Sequence, residues 1–299
     1  MFTRRLILAG AIVLAATPAL AQEKLPVVAT FSIIGDLVKN VGGERIMLTT
    51  LVGADGDAHV YSATPADAKL VAEAKVIIMN GLGFEGWIDR LIKASKTKAT
   101  VAAAARGVRA RRMAGEHGPG HSHDEFDPHA WQSVENVKIY VSNIGDALAK
   151  ADPAGKAEYD ANAKAYLEQL DALDKEIRAA IAAIPAARRK VITSHEAFAY
   201  FEAAYGIDFI APQGVSTESE ASARAVAQII RQIKAQKIPA VFLENISDPR
   251  LVRRIADETG AKIGGTLYSD ALSDEKGPAG TYIDMMRYNL RQFATALMS

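Results

Sequence analysis

The sequence predicts an α/β protein of two lobes, each a mainly parallel sheet flanked by helices, joined by one long rigid helix. Three observations predict it. Short apolar runs alternate with amphipathic helical patterns, the mark of a parallel sheet covered on both faces. That alternation occurs twice along the chain. Between its two occurrences, residues 153–184 hold one apolar stripe with no breaker until Pro185.

The chain has 299 residues, with 35 Lys+Arg and 35 Asp+Glu, 49% apolar residues and no cysteine. This is the composition of an ordinary globular protein with room for two domains, not of a disordered chain. A formal charge of zero supplies no broad field for nucleic acid or an anionic membrane. Without cysteine there is no disulfide, thiol nucleophile or thiolate metal site. Any transition metal must therefore be held by nitrogen and oxygen, for which six histidines are available.

Residues 1–21 read as a secretory signal. Arg4 and Arg5 precede the apolar run Leu6–Ala16, Pro18 interrupts it, and Ala19-Leu20-Ala21 is an A-x-A cleavage site. The run is too short to span a bilayer comfortably. The expected product is a soluble periplasmic protein without a lipid anchor. The expected divisions are an N-terminal lobe at 22–152, a linker helix at 153–184 and a C-terminal lobe at 185–299.

In the first lobe, Leu25–Phe31, Ile46–Leu51, Val76–Met79 and, more weakly, Ala99–Ala103 read as strands. Thr64-Pro65 opens a helix, with Thr64 as N-cap, Pro65 at its first position and Asp67 in its first turn. Val134, Val137, Val141, Ile144 and Leu148 form a helical stripe. The segment 153–184, at 1.5 Å per residue, is a rod of about 48 Å that restricts how far the lobes can part. In the second lobe, Val191–Thr193, Ile207–Ile210, Ala240–Leu243 and Lys262–Thr266 read as strands. Gly206 and Gly260 end helices. Thr217 with Glu220 is read as a capping box for the helix carrying Val226, Ile229, Ile230 and Ile233, and residues 280–297 read as helical.

Open α/β sheets bind ligands beyond the carboxyl ends of their strands. His59 follows the second strand, His195 directly follows Val191–Ser194, and Asp270 follows the last strand. His129 sits in Asp127-Pro128-His129-Ala130-Trp131, ahead of the helix at Ser133. A lone loop histidine is more often a surface group, and a lone Asp after a strand is more often a turn former. Four compatible donors at equivalent topological places, two from each lobe, carry more weight. Three imidazoles and a carboxylate satisfy a tetrahedral Zn²⁺ and suit it better than Ca²⁺ or Mg²⁺. A reference imidazole pKa of about 6.5 places proton competition below roughly pH 6.5.

Several stretches resemble one family. These are Asp57-Ala58-His59-Val60-Tyr61 with Thr64-Pro65-Ala66-Asp67, and Asn80-Gly81-Leu82-Gly83-Phe84-Glu85 with Trp87. Asp127–Trp131, Ser194–Phe198 with Tyr200-Phe201, and Tyr268–Ser273 complete the set. Together they are similar to the periplasmic solute-binding proteins of bacterial ABC importers for zinc and manganese, in order and over nearly all of the chain after residue 21. The resemblance implies two α/β lobes joined by a long helix, a metal in the cleft, and delivery to an inner-membrane permease. It implies the ligand set His59, His129, His195 and Asp270, and a protein that is not an enzyme. Manganese members tend to carry a carboxylate at the third position. His195 there resembles the zinc members, so the expected cargo is Zn²⁺ in one tight site, with manganese as the alternative.

Zinc members often carry a longer His-rich and acidic loop before the second ligand. Here it is the short stretch 116–125, with His117, His121 and His123 as an auxiliary metal contact or, more plainly, a polar loop. Expected partners are the permease and a periplasmic zinc chaperone, with the protein itself a monomer. Glu85 and Trp87 are expected to brace the first lobe, Glu196 to support His195 or start a helix, Tyr268 to line the cleft, and Arg106, Arg109, Arg111 and Arg112 to form a solvated face. A periplasmic zinc hydrolase is the rival from another class. It needs an open zinc position, and Ser194-His195 shows no acid partner and no nucleophile elbow.

Overall fold

In the computed structural model, which describes residues 23–113 and 126–298, the chain opens with strand β1 (Leu25–Phe31) and passes at once into helix α1 (Ser32–Gly42). The segment read as a signal and the loop 116–125, with His117, His121 and His123, lie outside the described residues. Strand β2 (Ile46–Val52), helix α2 (Pro65–Glu73), strand β3 (Val76–Met79), helix α3 (Ile88–Ser95), strand β4 (Thr100–Ala103) and helix α4 (Val134–Ala151) complete the first lobe. Its four strands are all parallel in the order β2-β1-β3-β4, with Val27 opposite Leu48 on one side and Val76 on the other.

The long helix α5 spans Lys156–Ala183. It is shorter than the sequence stripe at the start, because Pro153–Gly155 is a turn of 3-10 helix. There Asp152 accepts from Arg45 Nη2 at 2.7 Å and Tyr159 Oη at 2.9 Å, and the buried Gly155 leaves room for the Arg45 guanidinium. The C-terminal stop obeys Pro185, which forces Ile184 into extended backbone. Twenty-eight residues give a rod of about 42 Å. Tyr159, Tyr166, Leu170, Leu173, Ile177 and Ile181 are buried along it. It lies against α1 and α4 of the first lobe.

The second lobe repeats the first. Strand β5 (Lys190–Ile192), helix α6 (Ala199–Tyr205), strand β6 (Asp208–Ile210), helix α7 (Ala223–Gln236), strand β7 (Ala240–Glu244), helix α8 (Arg250–Thr259), strand β8 (Lys262–Leu267) and helix α9 (Tyr282–Met298) follow in turn. The sheet is again parallel, in the equivalent order β6-β5-β7-β8. Helix α5 also packs on α6 and α9, so it runs along both lobes. Gly206 and Gly260 end α6 and α8 in left-handed conformations, as expected.

One predicted cap is wrong. Helix α7 starts at Ala223, capped by Ser222, whose Oγ accepts from Ala225 N. Thr217 lies outside the helix and donates to Asp57 Oδ2 at 2.6 Å, across the cleft. The sequence pattern of Thr and Glu three apart is common to caps and to loops, and here a tertiary hydrogen bond takes the hydroxyl.

The main core is continuous across both lobes and α5, with Trp131, Phe201, Tyr282 and Phe293 buried within it. A smaller apolar cluster lies between α7, α8 and the outer face of the second sheet. No helix among the described residues is long and apolar enough to cross a membrane. The Thr64 cap is as expected. Its Oγ1 accepts from Asp67 N, and Asp67 Oδ2 accepts from Thr64 N at 2.6 Å and from Tyr61 Oη at 2.9 Å. Replacing Thr64 by Ala is expected to cost about 1 kcal/mol of stability, read as a lower urea midpoint with an unchanged slope.

Candidate metal centre

The two sheets point their carboxyl ends at each other, and the loops that leave those ends meet in one buried cluster. His59, His129, His195 and Asp270 each offer one ligand atom, all within 4.8 Å of one another. His129, His195 and Asp270 are fully buried, and only His59 keeps slight exposure. His59 Nε2 lies 3.2 Å from His129 Nε2 and 3.2 Å from Asp270 Oδ2. His195 Nε2 lies 3.0 Å from Asp270 Oδ2, and His129 Nε2 lies 3.6 Å from Asp270 Oδ1. A tetrahedral ion with bonds of about 2.0–2.2 Å has donor separations of about 3.3–3.6 Å. The observed spacing fits such an ion with small adjustments.

Local chemistry explains how each donor is aimed. Both His59 and His129 sit in an Asp-x-His turn, in which the Asp accepts from the backbone N–H of the His, at 2.9 Å in each case. At His129 the same Asp127 Oδ1 also faces Nδ1 at 2.8 Å, so the ring carries its proton there and turns Nε2 inward. The Asn80–Trp87 stretch braces both turns. Asn80 Nδ2 donates to Pro128 O at 2.9 Å, and Trp87 Nε1 donates to Ala58 O at 2.8 Å. The buried Glu85 carboxylate accepts from Thr30 Oγ1, Asn80 N and Gly81 N, closing a turn in which Gly81 and Gly83 adopt φ of 88° and 82°. The expectation for Glu85 and Trp87 therefore holds.

From the second lobe, β5 delivers His195 three residues past its end, and β8 delivers Asp270 three residues past its own. A register shift in the β7–β8 pairing, between Val241 and Leu243, bends the sheet edge before this turn. The first lobe holds the Asp270 loop by Trp131 Nε1 and Gln132 Nε2, which donate to Ser269 O at 2.9 and 2.7 Å. In return Tyr200 Oη donates to Asp127 O at 2.9 Å.

Sequence reasoning misses Glu244. The sequence offers the neighbouring Glu196 as a support for His195, but the carboxylate that the fold brings to the ring is that of Glu244. Glu244 Oε2 lies 2.6 Å from His195 Nδ1, and Oε1 accepts from Ser194 N at 2.6 Å and His195 N at 3.0 Å. Glu244 closes strand β7, so the rule that functional groups follow strands points to it as well. Thr217 and Asp57 are likewise missed as a cross-cleft tie, and Asn245 Nδ2 adds a second, to Asp55 Oδ1 at 2.9 Å. Glu196 precedes the α6 cap by two residues, and burial followed by the nearby Asp127 raises its carboxyl. Tyr268 packs edge-on to Tyr288. Arg106, Arg109, Arg111 and Arg112 are exposed, as expected.

The electrostatics of the cluster differ from those of free imidazoles. Burial lowers His59, assisted by the other two histidines. Burial alone would also lower His129, but Asp270 and Asp127 outweigh it and lift the ring to about 9. Glu244 and Asp270 likewise outweigh burial at His195 and raise it well above its ordinary value. Asp270 is raised by burial but held well below the carboxylate range by His129 and His195. The sequence-based expectation of competition only below roughly pH 6.5 therefore needs correction, because the carboxylates flanking two of the rings keep those rings protonated to higher pH.

The chain matches, over residues 27–296, the family described as zinc-uptake complex component A, periplasmic. It is 34% identical over 275 residues to the manganese-binding lipoprotein MntA of Halalkalibacterium halodurans, covering 92% of this chain and 89% of that protein. It is 33% identical to the iron-binding protein YfeA of Yersinia pestis, covering 93% and 88%. Among solved structures, the periplasmic zinc-binding protein TroA of Treponema pallidum matches with a TM-score of 0.84 at 33% identity, over 92% of this chain and 99% of that one. A manganese-bound periplasmic metal-binding protein of Candidatus Liberibacter asiaticus matches with a TM-score of 0.80 at 30% identity, over 92% and 100%. Several relatives are named as lipoproteins, so the expectation of a chain without a lipid anchor draws no support from them.

Proposed function

The chain belongs to the family of metal-binding solute-binding components of bacterial ABC importers, and from that premise we propose that it captures Zn²⁺ in the periplasm and hands it to the importer's permease. The family is a carrier family, and the chain is a divalent-metal carrier rather than an enzyme. The observation that carries the zinc reading is the convergence of His59, His129, His195 and Asp270, with donor atoms spaced for a tetrahedral ion. Three imidazoles and one carboxylate favour zinc over manganese, which prefers more oxygen donors and a larger coordination number.

The residues divide the work of capture. Asp127 holds the outer nitrogen of His129, leaving its Nε2 for the ion. Asp270 neutralises one of the two positive charges, and the carboxylates behind the rings offset the other. Because two donors come from each lobe, bound metal ties the lobes together. It should raise the melting temperature by mass action.

Manganese is the second reading, favoured by the relatives named for it. Metal competition decides between the two. Protein stripped of metal and offered Zn²⁺, Mn²⁺ and Fe²⁺ together, then washed and read by elemental analysis, is expected to retain one zinc per chain. Retention of manganese would overturn the zinc reading. We assign the loop 116–125 an auxiliary part at most, with the zinc chaperone as a candidate donor and the monomer as the working form. Deleting 116–125 is expected to leave tight one-to-one zinc binding unchanged by calorimetry. Loss of the tight site would move the ligands into the loop.

A further inference from the structure

We propose that Glu244 is a positioning residue for metal capture: it sets the tautomer and orientation of His195 and thereby presents Nε2 to the ion. The proposal rests on the reading of His195 as a ligand. Glu244 is 3% exposed and stands at the end of β7, beside the loop that carries His195. Its two oxygens have separate tasks. Oε1 accepts from two consecutive backbone amides, Ser194 N at 2.6 Å and His195 N at 3.0 Å, which fixes the loop. Oε2 stands 2.6 Å from His195 Nδ1.

That contact determines where the ring keeps its proton. A carboxylate accepts only, so the Nδ1 that faces it must carry hydrogen. When zinc displaces the second proton, the lone pair is left on Nε2, which lies 3.0 Å from Asp270 Oδ2, inside the donor cluster. The reversed tautomer would place a proton where a ligand lone pair is needed. Asp127 performs the same service for His129, so two of the three imidazoles are backed by carboxylates from different strands and loops. Buried partners of this kind typically contribute about 10- to 100-fold in metal affinity.

A purely structural role for Glu244, bracing the 194–195 loop, makes a different prediction, and Glu244→Gln separates the two. The glutamine keeps the volume of the side chain. Its carbonyl oxygen must stay on the two backbone N–H groups, because an NH₂ there would face donors with a donor. The NH₂ is therefore driven to the Oε2 position, against His195 Nδ1. Nδ1 becomes an acceptor, the proton moves to Nε2, and the ligand is blocked although the loop remains braced.

The experiment measures zinc affinity by chelator competition, and metal-free melting temperature, for the wild type, Glu244→Gln and His195→Ala. Positioning predicts that Glu244→Gln loses about 10- to 100-fold in affinity, with a metal-free melting temperature near that of the wild type. Wild-type affinity in Glu244→Gln together with a weakened His195→Ala would overturn the positioning role and leave the ligand set standing. Unchanged affinity in His195→Ala would overturn the ligand reading itself. A second measurement needs no variant: ¹⁵N–¹H spectra of the zinc-loaded wild type. A protected, downfield Nδ1–H on His195, with Nε2 unprotonated, supports the proposal. A proton on Nε2 with Nδ1 bare refutes it.

Discussion

Replacing His195 by alanine is expected to weaken zinc binding by about 100- to 1,000-fold. Structural zinc sites with four ligands are worth roughly 10–16 kcal/mol, so one ligand carries roughly 2.5–4 kcal/mol. The loss is expected near the upper end here, because His195 is fully buried and its removal strands two neighbours. Glu244 Oε2 would face an empty space, and Asp270 would lose the imidazole 3.0 Å away. Water entering the gap can satisfy the ion in part, but Asp270 alone then ties it to the second lobe. Chelator competition reads the change, and the zinc-induced rise in melting temperature should shrink with it.

The second large effect is the pH dependence of binding. In the metal-free protein His129 holds its proton up to about pH 9, and His195 is also shifted well upward, whereas burial keeps His59 neutral. Zinc needs all three rings unprotonated at Nε2, so it must displace about two protons near neutral pH. Affinity should then rise by up to about 100-fold per pH unit between roughly pH 6.5 and 8, and level off near pH 9. The metal-free fold should behave in the opposite sense. A histidine with a raised folded pKa stabilises the fold most below about pH 6.5, its unfolded value, and that contribution disappears as pH passes through about 9. Asp270 works the other way, stabilising above its unfolded pKa of about 3.9 and losing the effect only in stronger acid. Calorimetry in buffers of different ionisation enthalpy counts the protons directly. Release of less than one proton per zinc at pH 7 would show that the carboxylates do not charge the rings.

What is legible in the sequence follows from how local each signal is. Leu25–Phe31 and Val76–Met79 are apolar runs with clear edges, and both strands fall on the expected residues. The Thr64 cap and the Gly206 and Gly260 stops depend on a few neighbouring residues and are likewise readable. The two-lobe plan needs only the repeat of the alternation. The start of α5 is misplaced because Arg45, distant in sequence, claims Asp152 and turns the first three residues into a tighter helix. Thr217 looks like a cap because nothing nearby says that Asp57, 160 residues away, takes its hydroxyl. The four cluster residues can be named because each lies just beyond a strand or in an Asp-x-His turn. Their supports are harder to see. Asp127 falls within a readable motif, but Glu244 is 49 residues from His195, and only the pairing of β5 with β7 brings the two together.

X-ray absorption at the zinc edge of the loaded protein tests the donor set most directly, because it reports the number, type and distance of the atoms bound to the ion. Four nitrogen or oxygen neighbours are expected at about 2.0–2.2 Å, with the multiple-scattering signature of three imidazoles and one zinc per chain. A shell of five or six neighbours, or fewer than three imidazoles, would contradict the assignment of His59, His129, His195 and Asp270 as the zinc-binding set.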